Sequence, residues 1–210
     1  MRMMEGLRIC AAVGAIALCG AGAAHAAGVV TQFKANGGMA THNSFDGTTG
    51  YDLAVNRNDT ASGRTTFFSF FTQTCDATFT ICTGKLGFGN IPNADFNVST
   101  GSASLNTNLS TNSGFQTFTY VQDNSAGTFT ETPVVSTGIV SINWRKDPRQ
   151  SQSFTGVQTF VSGGFSNKIT GSQTTTSATT TGSLLGVTLP AISSSFVGTN
   201  TSSQIIISHN

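Results

Sequence analysis

From residue 27 to its end, the chain has no eleven-residue stretch whose apolar side chains recur at the three-and-four spacing of an amphipathic helix. Its apolar residues alternate by twos instead. Tyr51, Leu53 and Val55 share one side of a segment whose other side carries Asp52, Ala54 and Asn56. Val140, Ile142 and Trp144 alternate with Ser141 and Asn143 in the same way. Residues 115–121, 127–135, 153–161 and 203–208 repeat the pattern. A period of two is the geometry of a strand with one face buried. Composition points the same way, because residues 27–210 include 33 Thr and 24 Ser but a single Glu. Thr is β-branched and favours extended backbone, whereas Ser, Asn and Gly supply turns.

Turn signals separate these segments at Asp46-Gly47, Asn58-Asp59, Pro92-Asn93 and Asn112-Ser113-Gly114. Others follow at Asp123-Asn124, Asp147-Pro148 and Gly163-Gly164. Many strands joined by short turns, with no helices between them, must pair antiparallel. The sequence therefore predicts one all-β domain over 27–210. The expected form is an antiparallel β-sandwich, with a closed or partly open β-barrel as the alternative. Residues 64–73 carry Phe67, Phe68, Phe70 and Phe71, with rings on both faces. Such a strand is expected at the centre of the structure, covered above and below; the rival reading makes it the aromatic wall of a ligand pocket. The hydroxyl-rich tract 171–182 is expected to be a wet edge strand rather than a stalk.

Residues 1–26 have the three parts of a secretory signal. Arg2 and Arg8 bring positive charge, 9–24 form an apolar run rich in Ala, and Ala24-His25-Ala26 offers a small-x-small cleavage site. Cleavage after Ala26 is expected, with a secreted or periplasmic product. The run falls short of the roughly 20 apolar residues of a spanning helix, and no transmembrane helix is expected in 27–210.

Charge narrows the function. Residues 27–210 hold eight basic and eight acidic side chains, and phosphate affinity needs clustered Lys and Arg, so nucleic acid is not an expected partner. A glycan, a cell surface or another protein suits an uncharged, hydroxyl-rich exterior better. Cys75 and Cys82 are the two cysteines after residue 26. In an oxidising compartment they are expected to form a disulfide across a hairpin turning at Asp76-Ala77-Thr78. Their spacing is not that of a redox motif, and zinc would lack ligands, with His42 and His209 the only imidazoles in this region.

Three constellations are candidate sites, each with a structural alternative. Trp144, Arg145, Lys146 and Arg149 set cations beside the single tryptophan, a pattern able to grip an anionic or sugar ligand. The alternative is a solubilising turn beside a core indole. Asp46, Asp52 and Asp59, with Asn interleaved, offer oxygen donors of the kind calcium takes, although the spacing matches no calcium loop and turn chemistry explains it as well. No other cofactor is implied. His42 with Asp46 is the one dyad that could serve a nucleophilic serine. These readings favour an exported, non-catalytic sandwich acting through its surface as a structural, adhesive or ligand-binding module. A secreted hydrolase using His42 is the first alternative. An outer-membrane β-barrel is the second, although a strand apolar on both sides does not suit a barrel wall.

Overall fold

The computed structural model describes residues 30–99, 101–162, 165–190 and 194–208. The leader and its cleavage site, the Gly163-Gly164 turn and His209 lie outside them. The long strands are β1 (Val30–Phe45), β2 (Thr49–Thr60), β3 (Gly63–Cys75) and β4 (Ile81–Ile91). A short 3-10 turn at Asn93–Asp95 leads to β5 (Phe96–Val98) and β6 (Ser102–Asn108). Another at Leu109–Thr111 precedes β7 (Phe115–Asp123) and β8 (Thr128–Val134). The chain continues through β9 (Ile139–Ser162), β10 (Phe165–Leu184), β11 (Val187–Thr188) and β12 (Ser194–Ser208). All pair antiparallel in one sheet of order β5-β6-β9-β10-β12-β1-β2-β3-β4-β7-β8, with β11 beside β10.

The ends of that order, β5 and β8, do not pair with each other, so the sheet is open and not closed into a barrel. The all-β antiparallel expectation does hold. Its two layers are parts of one sheet folded back on itself. Trp144 Nε1 of β9 donates to the Thr41 carbonyl of β1 at 2.9 Å. The two strands stand three places apart in the order, about 14 Å along a flat sheet at the usual 4.8 Å spacing. Val98 of β5 likewise touches β1, so closely that a Cβ on Gly38 would lie 3.0 Å from its Cγ2. Only a strongly bent sheet makes both contacts. The core lies inside the bend, where Phe96, Leu105, Ile142 and Trp144 meet Leu53, Val55 and Phe68, all essentially without solvent exposure.

Strand β3 meets half of its expectation. Phe68 and Phe70 are buried and pack on Phe115, ring centroids 5.7 and 6.1 Å apart. Among the described residues, no second layer covers the outer face. Rings from neighbouring strands shield it sideways instead: Phe71 stacks on Tyr120 at 4.9 Å, and Tyr120 on Phe129 at 5.2 Å. Tyr120 lies across Gly84, where an added Cβ would sit 2.8 Å from the ring. Its hydroxyl donates to the Thr72 carbonyl at 3.0 Å. Phe67 remains 41% exposed.

Cys75 and Cys82 face each other across the β3–β4 hairpin, Cα atoms 4.0 Å apart and sulfurs bonded. Asp76 shapes the reversal by accepting the Thr80 and Ile81 amides at 2.8 and 3.2 Å. Asn58-Asp59, read as a turn, lies inside β2 instead. Asp59 can stay in the strand because Arg64, across the hairpin, holds its carboxylate.

Two further expectations are corrected. Residues 139–144 and 153–161 are parts of one strand, not two. Pairing with β10 jumps from Lys146↔Ala178 to Ser151↔Thr176, so 147–150 bulge out opposite Ser177. The turn chemistry of Asp147-Pro148 is used there, and Asp147 accepts the Arg149 amide at 3.1 Å. The tract 171–182 is no edge strand, since β10 is paired with β9 along it and, over 171–177, with β12 on the other side. Its hydroxyls bond along both seams, Thr176 to Ser151 at 2.6 Å and Ser172 to Thr201 at 2.7 Å. Side chains that satisfy one another across strands let a polar tract occupy an interior position.

Past the bulge, β9 runs on with the start of β10, the end of β12 and the start of β1 as a four-stranded blade outside the core. Phe154 and Phe160 on one face and Val157 on the other are exposed.

Candidate functional site

The bulge in β9 positions the cationic candidates. In β9 the even residues Val140, Ile142 and Trp144 turn inward and are fully buried. Asn143 and Arg145 therefore point outward and are exposed. The indole of Trp144 faces the core and is bonded to Thr41, so it offers no ring to a ligand; only the backbone of Trp144 borders the outer face. Arg145, Lys146 and Arg149 do come together. With Ser104, Asn143 and Thr179 they line an open concavity of about 820 Å³ on the outer face of β6, β9 and β10.

Electrostatics leave this wall cationic. Asp147, its one carboxylate, accepts the Arg149 amide at 3.1 Å and the Gln150 side chain at 3.5 Å. Among the described residues, the ion pairs join Arg57 and Arg64 to Asp59, away from this concavity. Lys146 donates to the Ser99 carbonyl at 2.5 Å. Partial burial lowers its pKa from the ordinary lysine value. Arg145 and Arg149 are exposed and present their guanidinium groups to solvent.

His42 lies on the inward side of β1, with no solvent exposure. Its Nδ1 stands 3.2 Å from Ser195 Oγ and its Nε2 3.0 Å from Ser44 Oγ. Thr180 Oγ1 in turn donates to Ser195 Oγ at 2.6 Å. Burial lowers the imidazole pKa, because a charged ring is poorly solvated there. Asp46 is elsewhere, in an exposed turn, accepting the Thr48 and Thr49 amides at 3.0 and 2.7 Å. Those bonds hold its carboxyl below the ordinary range. The expected His42–Asp46 dyad is not formed. A serine does touch the histidine, but inside a buried network. Sequence gave no sign of that network, for Ser195 is 153 residues away.

The three aspartates proposed for calcium are dispersed. Asp52 and Asp59 sit seven residues apart in β2, on opposite faces and about 23 Å apart at 3.3 Å per residue. Asp59 is engaged by Arg57 and Arg64. Burial raises the Asp52 pKa, opposed by a hydrogen bond from Asn43. Among the described residues, no three His, Cys, Asp or Glu side chains gather where one metal ion could be held.

Among these residues, too, no helix is long and apolar enough to cross a membrane. The Cys75–Cys82 bond is compatible with a location outside the cytoplasm. In comparisons with known proteins, the chain matched no family model, no curated protein and no solved structure.

Proposed function

We propose that this protein is an exported, non-catalytic binding module that acts through its surface and grips an anionic, hydroxyl-rich ligand, an acidic glycan in chemical class. One observation carries the reading: Arg145, Lys146 and Arg149 converge on an open wall lined with hydroxyl and amide side chains. Guanidinium groups bind carboxylate or sulfate in a bidentate manner, and Ser, Thr and Asn exchange hydrogen bonds with sugar hydroxyls. An open, shallow wall suits a chain-like ligand laid across it better than a small molecule enclosed in a pocket. The fully buried histidine and the capping role of Asp46 support recognition over catalysis.

Titration of the full chain with a uronic-acid or sulfated polysaccharide, and in parallel with a neutral one, tests this. Binding is expected for the acidic polymer only, weakening as salt rises. The double variant Arg145→Ala/Arg149→Ala should bind about tenfold less tightly or worse, the loss of one charge-assisted contact being enough. Equal binding of the neutral polymer, or affinity unchanged in the variant, would remove the reading.

A further inference from the structure

Beyond the bulge, β9 is paired with β10 on one side only. Among the described residues, its other edge meets no strand over 151–162, since pairing with β6 stops at Arg145. These twelve residues read SQSFTGVQTFVS, with no charge and no proline. The sheet face at Gly156 is open too, for an added Cβ would meet nothing within 4 Å. Phe154, Val157 and Phe160 are 59%, 65% and 55% exposed.

A bare edge is a template for another strand, and folded proteins commonly block it with charge, proline or brevity. Among the described residues, the other free edges carry such blocks. Strand β5 is three residues long. Strand β8 has Glu131 and Pro133. The part of β1 that extends past β2 ends on Lys34. Only β9 combines length with the absence of every block.

We propose that two copies of this chain join edge to edge along 151–162, antiparallel about a two-fold axis through Val157. The two four-stranded blades then form one eight-stranded sheet. Charge selects a second copy as the occupant. In a two-fold pair each side chain meets its own kind or its symmetry mate, so a charged edge would repel itself, and this one carries no charge. The register centred on Val157 also sets Phe154 of each copy opposite Phe160 of the other, on the same face of the joined sheet. Every other residue along the joined edges turns its N–H and C=O to the new seam and gains hydrogen-bond partners, the mode of recognition used wherever an extended strand is added to a sheet. The inference rests on the edge alone and is independent of the cationic wall.

The test is sedimentation of the full chain across a dilution series. The expected mass at the concentrated end is twice that of one chain. Val157→Lys should reduce it to one chain mass with an unchanged β-type circular dichroism spectrum. Val135→Lys, at a site 85% exposed and outside β9, should leave the dimer intact. Val157→Cys should cross-link two copies under oxidation, because opposed residues in an antiparallel pair lie within disulfide reach. A single-chain mass at every concentration would overturn the proposal, as expected if the edge serves a strand of some other protein. So would a dimer that survives Val157→Lys, a dimeric Val157→Cys protein that does not cross-link, or growth past two copies.

Discussion

At position 42 an imidazole sits in a dry interior held only by hydroxyls, and its protonation is therefore coupled to folding. Burial sets its folded pKa below the ordinary 6.5. As pH falls through that ordinary value, the unfolded chain takes up a proton that the folded chain resists. The unfolded state then binds more protons, so stability is full above about pH 6.5 and declines below it. The decline levels off once the folded value is passed. Replacing His42 by Leu should flatten this slope while lowering stability by about 1–3 kcal/mol, because the Ser44 and Ser195 hydroxyls lose a buried partner. Denaturant unfolding at several pH values reads both effects, and an unaltered slope in the variant would show that His42 is not its source. None of the alternating segments covers residues 30–45, so the sequence does not by itself place His42 in a strand. Nor does it indicate that a serine 153 residues away completes the network.

Hairpins are where the sequence was most legible. Asp46-Gly47 and Asp123-Asn124 fall at hairpin reversals, and Pro92-Asn93 opens the link from β4 to β5, as turn chemistry requires. The cysteines pair across β3–β4 because β3 stops at Cys75 and a short reversal brings Cys82 opposite it. Removing that bond by Cys75→Ser/Cys82→Ser should cost about 2–3 kcal/mol on the chain-entropy argument for a loop of this length. Thermal unfolding of the variant against the oxidised protein checks it; equal midpoints would mean that the hairpin is already as restricted without the bond. Less legible were Asp147-Pro148, which makes a bulge rather than a turn, and the Thr tract, which is interior rather than peripheral. Both depend on what lies alongside. A bulge needs a partner strand that continues past it, and a polar tract needs hydroxyls on both flanks.

For the whole molecule, the bend of a single sheet brings β5 and β9 over β1, and Trp144 spans that gap. Its indole fills the core and donates to the Thr41 carbonyl at 2.9 Å. Trp144→Phe should cost about 2–4 kcal/mol, from the cavity and from a carbonyl left without that donor. Denaturant unfolding measures it, and a loss well under 1 kcal/mol would mean that the two layers are held elsewhere. By itself the sequence determined most of the strands and turns, and with them the all-β class and the cysteine pair, because these follow from spacing along the chain and from local backbone preference. Tertiary structure alone decided that one sheet makes both layers, that Trp144 faces inward while Arg145, Lys146 and Arg149 share a wall, and that β9 keeps a bare edge. Each of these depends on how much the sheet bends and which strands stand side by side, and a two-residue period carries no information about either.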